Sequence, residues 1–150
     1  MDLAAFILDS VPFARMLGIS LDSAGSGTAV ARMPDRADLH NHVGGPHAGA
    51  MFTLAETASG AAMLSAFADQ LSKAVPLAKG ARVDYRKLAM GEVTAAATLR
   101  ADCAEVVAQL DEGKRPEFDV AVEILDTDGV VVAEMTVVWT LRPNRPVTRP

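Results

Sequence analysis

His47-Ala48-Gly49-Ala50-Met51-Phe52-Thr53-Leu54-Ala55-Glu56-Thr57-Ala58-Ser59-Gly60-Ala61-Ala62-Met63-Leu64-Ser65-Ala66-Phe67 is the stretch that decides the fold of this chain. Alanine, leucine and methionine favour helix, and the run predicts one helix from about His47 to Phe67. Between Ala48 and Ala68 the only charged residue is Glu56. Such a length could span a bilayer. Small and hydroxyl side chains insert weakly, however, and a central acid opposes insertion. The reading is therefore a helix buried on all sides of a soluble fold, with Gly60 marking close packing against a neighbour.

A helix so apolar needs a sheet around it, and the flanking sequence supplies strands. Before it, Leu3 to Leu8 reads as a short helix, and a second opens at Ser10 or Pro12 and stops at Gly18. Ile19 and Leu21 alternate with polar residues, as do Thr28 to Met33, with Gly25-Ser26-Gly27 between them, which predicts a hairpin. Pro34 to Pro46 reads as a polar loop. After the helix, period-two alternation marks strands over Ala81–Tyr85, Val93–Leu99, Phe118–Ile124 and Val131–Leu141. Asp126-Thr127-Asp128-Gly129 is a tight hairpin turn in which Gly129 takes positive φ. Ala104 to Pro116 reads as a solvated loop, and Arg142 to Pro150 as a disordered Pro- and Arg-rich tail. The expected architecture is α+β: a single domain over residues 1–150, with an antiparallel sheet curled around one long central helix.

Composition narrows the function classes. At 150 residues the chain can bury a core without staples, and its one cysteine, Cys103, allows no internal disulfide. A net charge of −5 argues against a nucleic-acid partner. Asp2 stands where a signal peptide would carry a basic residue, and Asp9 and Pro12 end a short apolar run. The expectation is a cytoplasmic protein without a membrane anchor.

Glu56 is the most informative side chain. An acid amid apolar neighbours is costly unless it is paired or functional, and burial would make it a better base or nucleophile. The alternative is a glutamate that points into solvent or pairs with a lysine. At the helix start, Gly44-Gly45-Pro46-His47-Ala48-Gly49 could present backbone amides to an oxyanion, although local spacing alone equally describes an ordinary helix start after a proline. His40, His42 and His47 fall within eight residues. No cysteine or acid lies at ligand spacing, so an active-site loop explains them better than a metal. Tyr85-Arg86-Lys87, with Lys79 and Arg82, forms a basic cluster suited to phosphates or, as readily, to a protected strand edge. Cys103 reads as inert, away from any base or helix start.

Asn41-His42-Val43-Gly44-Gly45-Pro46-His47-Ala48-Gly49-Ala50-Met51-Phe52-Thr53-Leu54-Ala55-Glu56 resembles the central-helix motif of hotdog-fold thioesterases, in particular the phenylacetate-type acyl-CoA thioesterases and related proteins of unassigned function. Val83 to Val93 resembles their strand and turn after the helix. The resemblance implies a hotdog fold in which Glu56 attacks a thioester carbonyl or activates water. It implies that the Ala48 amide binds the carbonyl oxygen, that Asn41 orients the carboxylate or the water, and that His47 is the usual histidine before the small pair. His42, Gly49, Ser59, Tyr85, Arg86 and Lys87 fall where substrate would be held. It also implies a homodimer or homotetramer with central helices side by side, a contact that Ala55, Ser59 and Ala62 would suit. The sequence departs from the family at Ala48, where glycine is usual, and at Gly60, where some relatives carry a hydroxyl.

The expected activity is hydrolysis of an acyl-CoA or acyl-carrier-protein thioester, with coenzyme A as part of the substrate and no other cofactor. One alternative is addition of water or an amine to an α,β-unsaturated thioester, with His47 or His42 handling the proton. Another is a non-catalytic acyl-CoA binder.

Overall fold

Alternating strands and one apolar helix fold as the pattern demands. The computed structural model describes residues 2–145. The chain runs α1 (Leu3–Ser10), α2 (Pro12–Met16), β1 (Ser20–Gly25), β2 (Thr28–Met33), α3 (Ala48–Phe67), β3 (Ala74–Tyr85), β4 (Val93–Arg100), α4 (Cys103–Asp111), β5 (Glu117–Leu125) and β6 (Val131–Pro143). The six strands form one sheet in the order β1-β2-β4-β5-β6-β3, and every neighbouring pair is antiparallel. This is the hotdog arrangement: the sheet wraps around α3.

The wrap is close because its contacts are small. Ala29, Ala31, Ala95 and Ala97 line the inner face of β2 and β4, and Ala55, Ala58 and Ala62 lie on the buried side of α3. Alanine on both surfaces lets helix and sheet approach. Larger groups seal the end, where the Phe67 and Phe118 rings lie 5.1 Å apart and tilted by 51°. Register shifts at Leu21/Ser23, Ala78/Gly80 and Ile124/Leu125 add the local bends a curled sheet needs. The turn between β1 and β2 is tighter than expected: Ser26 and Gly27 take φ of 50° and 79°, the geometry of a two-residue hairpin. Gly129 closes the β5–β6 turn at φ 77°, as expected.

Three sequence expectations are corrected. The segment expected as a solvated loop holds α4, because the Asp102 carboxylate caps the Glu105 amide and Val106 and Leu110, one turn apart, are buried. Cys103 therefore stands at a helix start after all, exposed in the first turn. The expected disordered tail is in part strand: Arg142 and Pro143 pair with Val75 and Ala74, and Asn144 bonds the carbonyls of Ser72 and Lys73. Residues 146–150 of that tail lie outside the described residues. Among the described residues no helix is long and apolar enough to cross a membrane.

Candidate active site

The loop before α3 is built around Asn41. Its Oδ1 accepts from the amides of Val43 (3.0 Å) and Gly45 (3.1 Å), while the Asn41 amide donates to the Gly45 carbonyl (2.8 Å). An asparagine side chain that mimics backbone in this way closes a turn. The Nδ2 group has only a long contact, 3.4 Å, to the Pro46 carbonyl. Gly45 must be glycine, since a Cβ there would lie 2.3 Å from the Ala89 carbonyl oxygen. That approach packs the β3–β4 loop on the Asn41 loop.

His47 caps α3. Its Nδ1 accepts from the Gly49 amide at 2.8 Å, so the neutral ring carries its proton on Nε2 and faces its surroundings as a donor. The cap takes the amide of Gly49 and leaves that of Ala48, which is exposed at the first helical position. Tyr85 donates to the Ala48 carbonyl at 2.8 Å and so fixes this helix end against β3.

Glu56 lies two turns further on. It is half-buried, and among the described residues it makes no ion pair. Desolvation pushes its carboxyl above the ordinary glutamate value. A lysine-paired glutamate is thus not what the described residues build. Glu56 belongs to the less buried stripe of α3, with Phe52, Thr53, Gly60 and Leu64, and it lines an apolar cavity of about 170 Å³ between α1 and α3.

Other expected residues are placed elsewhere. Ser59 is wholly buried, donates to the Glu56 carbonyl (2.7 Å) and accepts from Trp139 Nε1 (3.0 Å). Its hydroxyl is committed inside the fold. Ala55 and Ala62 are also wholly buried by the chain's own sheet, so with Ser59 they offer no surface to a second helix. The basic cluster is divided among partners: Lys79 pairs with Glu117, Arg82 with Asp84, and Arg86 with Glu134 at 2.7 Å. Lys87 makes no ion pair among the described residues. His40 is held by Asp35 at 2.5 Å, and His42 is exposed. No group of three or more His, Cys, Asp or Glu could hold a metal ion among the described residues.

The candidate groups open on three depressions rather than one. Glu56 faces the cavity under α1. Asn41, Ala48, Tyr85, Arg86 and Lys87 line a second depression, of about 400 Å³. His47 and Gly49 line a third, with His40, Thr53, Phe13 and Met16. Sequence reasoning missed Trp139, Phe6 of α1 and Val11 between α1 and α2, all beside Glu56; the available signal was Gly60, whose want of a side chain is matched by the Trp139 ring.

Residues 3–141 match the family described as Domain of unknown function (DUF4442). No curated protein matches the sequence. Among solved structures, a Pseudomonas aeruginosa protein of unknown function described as a probable thioesterase is 28% identical, with a TM-score of 0.83 over 95% of this chain and 94% of that one. The phenylacetic acid degradation protein PaaI of Thermus thermophilus is 25% identical, with a TM-score of 0.67 over 88% of this chain and 99% of that one. PaaI of Escherichia coli, at 24% identity and a TM-score of 0.72 over 93% of this chain and 89% of that one, shares the fold.

Proposed function

The chain belongs to the family described as a domain of unknown function, DUF4442, and from that premise we propose that it hydrolyses an acyl thioester of coenzyme A or of an acyl-carrier protein. The observation that carries this reading is Glu56: a half-buried carboxylate without an ion-pair partner among the described residues, raised in basicity by desolvation, on the wall of an apolar cavity. The thioesterase-like hotdog fold agrees with it.

Thioester hydrolysis needs an oxygen nucleophile, a donor for the carbonyl oxygen and a dry seat for the acyl group. In one route the Glu56 carboxylate bonds to the carbonyl carbon, the carbon–sulfur bond breaks, the thiolate leaves, and water then cleaves the acyl-glutamyl anhydride. In the other, Glu56 takes a proton from water as the water oxygen bonds to the carbonyl carbon, and the tetrahedral adduct then collapses with cleavage of the carbon–sulfur bond, the leaving thiolate taking that proton. Either way negative charge develops on the carbonyl oxygen. The uncapped Ala48 amide at the positive end of α3 is suited to receive it. Asn41 Nδ2, barely engaged, orients the carboxylate or the water, and His47 Nε2 supplies a second donor. His42, Gly49, Tyr85, Arg86 and Lys87 bind the rest of the substrate, with Lys87 free to meet phosphate.

Glu56 and the Ala48 amide open on separate depressions of one chain. That separation supports a homodimer or homotetramer in which one chain's Glu56 meets its partner's helix start. The test is thiol release from a panel of acyl-CoAs by wild type and Glu56→Ala, beside sedimentation of both. Glu56-dependent release from a dimer or larger species is expected. Near-normal turnover by Glu56→Ala would sink the assignment.

A further inference from the structure

The cavity beside Glu56 has an unusual chemical lining. It lies between α1 and α3 and is walled by Phe6, Val11, Met63, Leu64 and Trp139, with Gly60 at the point where α3 comes nearest to the indole. Three polar groups share these walls, and each is already engaged. Ser10 donates to the Phe6 carbonyl at 2.6 Å, Thr57 donates to the Thr53 carbonyl at 2.7 Å, and Trp139 Nε1 donates to Ser59 at 3.0 Å. Among the described residues Glu56 is the one polar side chain on these walls that carries no such bond. A group that enters is therefore favoured when it is apolar along its length, because the hydroxyl and indole protons of these walls are already committed and a buried anion would find no donor there. Its reactive end must sit at the carboxylate.

We propose that this cavity is the acyl seat, and that it selects an unsubstituted apolar acyl group of about six carbons, straight or cyclic. The proposal rests on the thioesterase reading and adds the substrate class to it. The size follows from volume: about 170 Å³ is close to the roughly 150 Å³ of an apolar protein cavity known to admit one benzene molecule. Two residues set the limit. At Gly60 an added Cβ would stand 3.4 Å from Trp139 Cζ2, an ordinary van der Waals contact, so a methyl group there fits against the indole and takes its volume from the cavity wall. At the other wall Phe6, 39% exposed, belongs to a short N-terminal helix and closes the cavity from outside.

The test combines turnover with binding. The chain has one tryptophan, Trp139, in the cavity wall, so its emission reports occupancy without any chemistry. Thiol release is measured with acetyl-, butanoyl-, hexanoyl-, decanoyl-, benzoyl- and adipoyl-CoA. Binding is measured by Trp139 emission with the unreactive thioethers butyl-, hexyl- and decyl-CoA. Wild type should prefer hexanoyl- and benzoyl-CoA, and adipoyl-CoA, in which a carboxylate replaces the terminal methyl of the hexanoyl chain, should fall by about 100-fold or more in kcat/KM. Gly60→Ala, which improves helix propensity, should lower hexanoyl turnover by about 10-fold and move the optimum to butanoyl. Phe6→Ala should move it towards decanoyl. A length profile unchanged in both variants, with adipoyl accepted as well as hexanoyl, overturns the seat while leaving Glu56-dependent hydrolysis standing. Absence of thiol release from every substrate, with Trp139 emission still ranking the thioethers in the same order, keeps the seat and removes the hydrolase reading. A silent Trp139 with all three thioethers overturns the seat.

Discussion

Trp139 Nε1 donates to Ser59 Oγ across 3.0 Å, and Ser59 Oγ donates in turn to the backbone carbonyl of Glu56 at 2.7 Å. One buried hydroxyl thus ties the central helix, at its only acid, to strand β6. The bond fixes both the rotation of α3 and the ring that faces Gly60.

Ser59→Ala should cost about 1–3 kcal/mol, because it leaves a buried indole N–H without an acceptor. Urea unfolding reads the loss. Thiol release should fall as well, since the Glu56 turn and the Trp139 ring lose their common anchor. A variant as stable as wild type would show that another acceptor takes over.

Glu56→Gln should abolish hydrolysis and leave the fold more stable at neutral pH. The folded protein holds the Glu56 carboxyl above its ordinary value of 4.5, so the folded state favours the protonated form. That contribution is fully present below about pH 4.5 and is lost as pH rises through the raised value. Thermal unfolding should therefore favour Glu56→Gln at pH 7 and show little difference at pH 4. A variant less stable at pH 7 would mean the carboxylate has a stabilising partner in solution.

The same shift bears on turnover. Hydrolysis needs the ionised carboxylate, so kcat/KM should fall on acidification with an inflection above the usual glutamate range. A rate flat down to pH 4 would contradict the desolvated environment.

Gly45→Ala should be among the most damaging single changes in the loops. Its Cβ would lie 2.3 Å from a backbone oxygen, that of Ala89, which no side-chain rotation can relieve. A loss of about 1–3 kcal/mol or more is expected, together with lowered turnover through displacement of Asn41. Asp102→Ala, by contrast, removes only the cap of α4 and should cost about 1 kcal/mol without altering the acyl profile. Unfolding curves and kinetics on the two variants together separate loop geometry from general stability.

Much of this was legible along the chain. The central helix was, because a run of small apolar residues around one acid calls for the inside of a sheet; the expected burial on all sides is corrected by the half-buried stripe of Phe52, Thr53, Glu56, Gly60 and Leu64, which the sheet leaves uncovered. Glu56 stood out for the same reason, since burial imposes its cost residue by residue. The strands over Val93–Leu99 and Val131–Leu141 followed from period-two alternation, and the β5–β6 turn from Gly129. Helix α4 was not legible because the charged run Asp111-Glu112-Gly113-Lys114-Arg115 that follows it makes the segment read as loop, and its buried pair, Val106 and Leu110, is only one turn apart. Strand β3 begins seven residues before its visible alternation, at Ala74 rather than Ala81, because Pro76 and Gly80 interrupt the pattern and only pairing with β6 imposes the strand.

Sequence by itself determined the central helix, most of the strands and the isolated carboxylate, because each of these is set by local propensity and by the burial cost of single side chains. Tertiary structure alone decided which groups meet. Arg86 finds Glu134, Ser59 finds Trp139, and Gly60 leaves room beside the same indole, while Asn41 and Glu56 open on different depressions. Those relations join residues tens of positions apart, and they follow from strand register and helix rotation, which are fixed only when the whole sheet closes around α3.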